Sequence, residues 1–368
     1  VAYKNHNFGF DRLIIGGYYT WVIVFFLYKF LLMKIKISAT IGPASIEASV
    51  IKSLAEAGAV CFRLNASHAD ESFLRTAIIN IRKNAPQAEI LLDTTGPELR
   101  ISGLEKPVVI ETGQYFGIGV RGAVNTFCNE HLFSTDESFF KVAEEGMPLA
   151  IESGRITARI KTVAQGIIRL QMERGGLIRN GAHIDLPFVE LPLPFISEKD
   201  ERGLRLAAEY DLEWVAASFV KKSSEVHELR TLVRKFGSGA KIIAKIERYA
   251  AVENIREILS VSDAILVARG DLGVEIPWTE LPAVQDYLVA AAIKAVKPVV
   301  VATEFLSSMV NNAFPTRAEI TDIMHAIDSG VTGILLSDET AVGRFGVEAV
   351  QILRTAAENQ RRPWLVHS

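Results

Sequence analysis

Eight short apolar runs, six of them ending on a polar or charged residue, constrain this 368-residue chain more than any other feature. They are KISATI, VCFRLN, EILLDT, EWVAASF, KIIAKIE, AILVARGD, PVVVATE and GILLSDE, beginning at positions 36, 60, 89, 213, 241, 264, 298 and 333. All are rich in Val, Ile and Ala, and none alternates cleanly between apolar and polar. A strand with that pattern has no face toward water, as in a parallel sheet covered on both sides. Most intervals hold one helical pattern. ESFLRTAIINIRKN after the second run and SSEVHELRTLVRKF after the fourth space their apolar residues three and four apart. Eight strand–helix units predict an α/β fold, a (β/α)8 TIM barrel whose active site lies where the strands end.

The longest interval, about residues 102 to 189, separates the third run from the fourth. It carries short β-like runs (PVVIET, QYFGIGV, PLAIES, RITARIKTV, GIIRLQM) punctuated by glycine. That spacing predicts a small β-barrel domain inserted after the third strand, with residues 33–101 and 190–368 forming the catalytic barrel. Such a domain over the strand ends could act as a lid that excludes water, or it could be a rigid decoration.

The charge balance narrows the partners. Lys plus Arg number 40 against 43 Asp plus Glu, and a net charge of −3 argues against a nucleic-acid binder, since phosphate-backbone affinity needs a basic surface. Two cysteines, Cys61 and Cys128, are too few for a disulfide framework or a thiolate metal site. Cys61 falls inside the second run, where it reads as a small buried hydrophobe. A reducing, cytoplasmic setting fits. Residues 13 to 32, LIIGGYYTWVIVFFLYKFLL, approach the length needed to span a bilayer. Met33 stands directly before the first strand, so residues 1–32 are expected to be sequence upstream of the true start. A membrane anchor is the other reading.

The strand ends place Lys245, Glu247 and Asp271 in one site. Lys245 and Glu247 are two apart and share a strand face. Glu247 and Asp271 close adjacent strands, and hard carboxylate oxygens suit Mg²⁺ (or Mn²⁺) with positions left open for substrate oxygens. Each carboxylate could instead cap the helix that follows, and Lys245 and Glu247 could form a purely structural ion pair. Arg63, Asn65 and Ser67 alternate onto one face of the second strand, and Asp93 and Thr94 end the third. One carboxylate among hydroxyl and amide oxygens suits a monovalent cation better than Mg²⁺. Gly270 lets the backbone approach a ligand, so its amide and that of Asp271 could hold a carboxylate. Thr303 closes the seventh strand with a hydroxyl.

Across positions 34 to 360 the chain resembles pyruvate kinase, through KISATIGPAS, FRLNASHAD, LLDTTGPELR, LPFISEKD, ASFVKK, IIAKIE, VARGDLGVEIP, VATEFLSSM, PTRAEITDI and LLSDETAVG in that order. The resemblance implies phosphoryl transfer between phosphoenolpyruvate and ADP, giving pyruvate and ATP, with Mg²⁺ and K⁺. It implies that Lys245 is the transition-state lysine and that Arg63 meets the transferring phosphate. It further implies Mg²⁺ on Glu247 and Asp271, K⁺ on Asn65, Ser67, Asp93 and Thr94, and substrate on Arg63, Gly270, Asp271 and Thr303. Nucleotide contacts fall to Asn65, His68 and Arg100.

Several positions depart from the family pattern. Thr95, Asn180 and Val342 stand where lysines are usual, Glu304 replaces a glutamine and Asp338 a glycine. Glu152, Ser153 and Gly154 lie near the family's VDDGL, and Arg179 could stand in for the cap lysine. Nucleotide phosphates need cations, so the acceptor is the open point. An enzyme of phosphoenolpyruvate or pyruvate with another acceptor or with lyase activity is one alternative, and a silent phosphoenolpyruvate- or nucleotide-binding sensor is another. The segment AVQILRTAAENQRRPWLVHS reads as the last barrel helix and a tail, without the family's C-terminal effector domain. A homo-oligomer built through the barrel stays open.

Overall fold

A computed structural model describes residues 34–120, 131–164 and 166–359. The apolar N-terminal stretch and Cys128 lie outside the described residues. Among those residues, no helix is long and apolar enough to cross a membrane.

All eight runs form parallel strands of one closed barrel, paired in sequential order around the ring. They are β1 (Lys36–Ile41), β2 (Ala59–Asn65), β3 (Glu89–Asp93), β4 (Trp214–Ala217), β5 (Lys241–Ile246), β6 (Ala264–Ala268), β7 (Val299–Ala302) and β8 (Gly333–Leu336). Closure falls between the first and last strands, where Lys36 pairs with Gly333 and Ala39 with Leu336. The absence of alternation follows from the two cores that the strands face. Outward residues such as Phe62, Ile90, Ile242 and Ile334 pack under the helices, while inward Cys61, Leu91, Ala216, Ile243 and Leu266 fill the bore. Both sets are removed from water, so both are apolar. Burial pushes the Cys61 thiol up to about 12, which makes it an inert packing group.

The helices after β2 and β4 span Glu71–Asn84 and Ser223–Lys235. Asp70 starts the first of these by accepting from Phe73 N at 2.8 Å.

The inserted region has its own core, which includes Phe116, Phe133, Phe139, Ile160 and Leu170. Its principal sheet has seven strands, running from Leu99–Arg100 at one edge to His131–Thr135 at the other. The two edges meet at one point, where Ser102 and Ser134 exchange backbone hydrogen bonds of 2.7 and 3.0 Å. That bridge closes the sheet on itself as a small barrel.

The chain crosses between barrel and insert twice, and each crossing is tied to a buried carboxylate. At the first, Asp200 accepts from Thr95 N and Gly96 N while also capping its own helix, Glu198–Glu209. Gly96 is required there: φ is +69°, and a Cβ would meet Ser218 O at 3.0 Å and the Phe219 ring at 3.1 Å. At the second, Phe188 N donates to Glu275 at 3.1 Å.

Candidate active site

Parallel strands put their last side chains at one end of the barrel, so the site is built from strand termini. Asn65 and Asp93 are register partners across β2 and β3. Asp93 is 1% exposed and accepts from two cations. Arg63 approaches Oδ2 at 2.7 Å through Nε and at 2.6 Å through its terminal nitrogen. Lys245 Nζ lies 3.2 Å from Oδ1. The same ammonium lies 2.8 Å from Glu247 Oε1 and donates to Ser218 Oγ at 3.0 Å. Ser218 in turn donates to Asp93 Oδ1 and to Thr94 O.

Burial alone would pull the Lys245 ammonium toward neutrality, but Asp93 and Glu247 overcome it and hold the pKa above the ordinary lysine value. Asp93 is lowered despite its burial, because Lys245 and Arg63 favour its charge. Glu247 moves the other way. Burial raises it to about 7, with Lys245 opposing and Asp271 and Asp93 adding to the rise. Asp271 stays below the ordinary carboxyl value despite burial, helped by His183 and Lys245 and by a 2.7 Å hydrogen bond from Ser153 Oγ.

The donor set fits a divalent cation. Glu247 Oε2 is held by Phe219 N at 2.7 Å, whereas buried Oε1 faces the lysine and has no hydrogen-bond partner beyond that ion pair. The inner cluster of Arg63, Lys245, Asp93, Glu247 and Asp271 holds one more carboxylate than cation. A bound cation would relieve that excess and the cost of ionising Glu247. Among the described residues no group of three or more His, Cys, Asp or Glu forms a metal cage. Two carboxylates with open positions suit Mg²⁺, which keeps waters or substrate oxygens in its shell.

The oxygens expected to hold a monovalent cation are also close together. Asn65 Oδ1 accepts from Ser67 N at 3.0 Å, and Thr94 Oγ1 from Ser218 N at 3.1 Å. The one carboxylate among them, Asp93, is already shared between Arg63 and Lys245. That low residual charge fits a monovalent ion.

Gly270 N donates to Thr303 Oγ1 at 2.9 Å. A Cβ on Gly270 would project between Ser153 and Thr303 at 3.7 Å, so glycine keeps that approach open. Thr303 and Glu304 both have positive φ, +74° and +58°. For a β-branched residue this is strained backbone, held where β7 ends over the site.

A cavity of about 130 Å³ is lined by Arg63, Lys245, Glu247, Asp271 and their neighbours, a volume suited to a small phosphorylated acid. An adjoining cavity of about 350 Å³ shares Ser67 and His68 with it and adds Lys199 and Arg202. Arg100, expected at the nucleotide, is gripped by Glu98 at 2.7 and 3.0 Å and donates to Gly181 O at 2.6 Å. His68 is lowered by burial and by Arg100.

Three site residues escaped the sequence reading. Ser218 is the second residue of ASFVKK and could have been found from its position directly after β4. Lys199 donates to Ser67 O at 3.0 Å and is lowered by burial and by Arg100. It lies inside LPFISEKD but precedes β4, so no strand-end rule selects it. His183 comes from the insert, its ring 5.6 Å from Phe219 and its Nε2 buried without a hydrogen-bond partner.

The departures from the family pattern sort by place. Thr95 lines the small cavity with its hydroxyl buried and unpartnered. Asn180 accepts from Leu104 N, a contact within the insert. Asp338 faces Arg155 at 3.9 Å, and Glu304 lines a separate cavity with Arg269 and Trp278.

Comparison with known proteins agrees with this geometry. A family model described as pyruvate kinase, barrel domain, matches residues 32–350. Pyruvate kinase of Thermotoga maritima is 35% identical over 334 residues, covering 89% of this chain and 71% of that protein. Pyruvate kinase of Sporosarcina psychrophila is 40% identical over 329 residues, covering 87% of this chain and 56% of that protein. Pyruvate kinase isozyme G, chloroplastic, of Nicotiana tabacum is 34% identical over 330 residues, covering 88% and 58%. The chain thus spans little more than half the length of two of these relatives. The ordered strand ends and the match along nearly the whole barrel lead to one assignment: the chain belongs to the pyruvate kinase family.

Proposed function

We propose that the protein transfers the phosphoryl group of phosphoenolpyruvate to ADP, giving pyruvate and ATP. The observation that carries this reading is a buried ammonium, Lys245, held charged between Asp93 and Glu247 beside Arg63. Phosphoryl transfer needs fixed positive charge where negative charge develops, in a site from which water is excluded.

Mg²⁺ would be held by Glu247 and Asp271, and K⁺ by oxygens of Asn65, Ser67, Asp93 and Thr94. Both ions would supply positive charge to the phosphate and carboxylate oxygens. Arg63 and Lys245 face the phosphoryl group from the β2 and β5 ends. As the phosphorus–oxygen bond to the enol oxygen breaks, that oxygen gains negative charge beside the Lys245 ammonium. The methylene carbon then takes a proton on the side where Thr303 lies. Gly270 and Asp271 offer backbone amides to the substrate carboxylate, and occupancy there would displace the Gly270–Thr303 hydrogen bond. The ADP phosphates would lie toward the adjoining cavity, where His68, Arg100 and Lys199 gather beside Asn65 and Ser67. Lys199 and Arg202 supply positive charge at that cavity, which favours a nucleotide acceptor over a lyase or a silent binder.

A coupled assay of pyruvate formation with ADP, with GDP and without nucleotide, each with and without K⁺, tests the proposal. Pyruvate release without nucleotide would move the assignment to a lyase, and ligand binding without turnover would move it to a sensor.

A further inference from the structure

Between the insert and the barrel, with Phe219 on its wall, lies a further cavity of about 320 Å³. Its walls include both chain crossings, through Pro97 and Phe188–Leu191, and the start of the barrel helix Tyr249–Glu253. The cavity is built around one buried carboxylate. Glu275 accepts from Phe188 N at 3.1 Å, from Tyr249 N at 2.7 Å and from Arg248 at 3.1 Å. It therefore fixes both aromatic residues at the mouth, whose ring centroids are 6.5 Å apart at 69°. Phe188 is 68% exposed with φ +63°, a large apolar side chain placed in water on strained backbone. Exposure and strain of this kind together are found at ligand clamps.

We propose that this cavity binds a small organic monocation, an ammonium carried on an apolar or aromatic body. The charges at the site decide the sign. Arg248 is occupied by Asp185 and Glu275, and Lys221 by Glu190 at 2.5 Å. The lining carboxylate not engaged in an ion pair among these is exposed Glu253, on the same short helix as Tyr249. Two aromatic faces and a carboxylate at the mouth attract a cation, and an anion would meet Glu190 and Glu253. Phe188, Val189, Leu191 and Phe219, whose ring carries Arg248 at 5.0 Å, offer the apolar body a wall, and the volume holds a compact molecule.

Occupancy is transmitted to the catalytic cavity. Phe219 lines both cavities, its φ is +56°, and its N–H holds Glu247 Oε2. A ligand against the Phe219 ring therefore bears on the carboxylate expected to hold Mg²⁺, and by linkage a metal there alters the affinity for the ligand.

Isothermal titration of the whole chain with phenethylammonium, with 3-phenylpropionate as the anionic control, tests the site. The expected result is saturable binding of the ammonium alone, weakened at least tenfold in Phe188→Ala and severalfold in Glu253→Gln. Both positions are exposed, so both variants fold. A repeat titration with Mn²⁺ present should change the affinity at least twofold. Equal binding of the two probes, absence of saturable binding, or unchanged affinity in Phe188→Ala would overturn the assignment. Titration reads binding directly, so the result is independent of which reaction the catalytic cavity performs.

Discussion

Lys245 Nζ stands 2.8 Å from Glu247 Oε1 and 3.2 Å from Asp93 Oδ1, so a single ammonium joins the carboxylate expected at the divalent metal to the one expected at K⁺. Removing it has two separable effects. In Lys245→Met, turnover should fall by about 10²–10³ or more, the scale of losing one preorganised electrostatic group. The metal-free protein should also lose about 3–5 kcal/mol of stability, because buried Glu247 is left without its cation and Asp93 keeps only Arg63. Added Mn²⁺ should recover much of that stability and none of the turnover. Thermal unfolding and initial rates of the same preparation, with and without metal, check both halves. Rates near wild type would remove Lys245 from the chemistry.

Glu247 provides a pH test. Its folded value of about 7 lies above the ordinary glutamate range. The metal-free folded protein therefore binds more protons than the unfolded chain between about pH 4.5 and 7, and this group's contribution to stability falls as pH rises through that window. Asp93 and Asp271 act oppositely. Both are held low, so their contribution is present above the ordinary carboxyl value and is lost as acid takes pH down through their folded values. Metal competes with the Glu247 proton, so Mn²⁺ affinity should rise close to tenfold per unit below about pH 7 and level off above it. Glu247→Gln should flatten that dependence. Titrations at half-unit steps from pH 5.5 to 8.5 measure it, and a flat wild-type profile would count against a shifted Glu247.

Much of this was legible because strand ends in a barrel obey a simple rule. KIIAKIE shows by period two that Lys245 and Glu247 share a face, and the chain order of eight buried runs brings Asp93 and Asp271 to the same end. Contacts set by the insert were not legible. Ser153 and His183 reach the site only because a separate domain folds back over the barrel, and no local period encodes that approach. The positive φ of Thr303, Glu304 and Phe219 was equally hidden, since each is a residue for which sequence rules expect ordinary backbone. Lys199 was missed because its helix start, not a strand end, carries it across to Ser67.

Lys199 also separates nucleotide binding from chemistry. It sits with His68 and Arg202 around the adjoining cavity and lies apart from the Lys245–Glu247–Asp271 cluster. Lys199→Ala should raise KM for ADP about tenfold, the cost of one charge-assisted contact, and leave KM for phosphoenolpyruvate within twofold. Steady-state kinetics with each substrate varied in turn distinguishes this from misfolding, which would lower the active fraction without splitting the two KM values. A matched rise in both would show that Lys199 only positions the Ser67 loop.

The insert donates one hydroxyl hydrogen bond to Asp271, the carboxylate expected at Mg²⁺. Ser153 Oγ donates to Asp271 Oδ1 at 2.7 Å from the tight hairpin between strands Pro148–Ile151 and Ile156–Ala164, whose turn residues Glu152 and Ser153 hold positive φ, +53° and +51°. That hydrogen bond ties the hairpin tip to a residue just beyond the end of barrel strand β6 and so acts as a latch on the insert. Ser153→Ala breaks the latch and removes one of the groups that keep Asp271 low. Because Ser153 is itself exposed, the fold should be retained, with unfolding midpoints within a few degrees of wild type. The insert should then stand open more often, exposing the crossing at Phe188–Leu191 to protease and lowering kcat severalfold through slower exclusion of water. Limited proteolysis with and without phosphoenolpyruvate reads the latch directly. Faster cleavage of Ser153→Ala that substrate suppresses fits a lid, whereas cleavage identical to wild type would make the insert a rigid decoration.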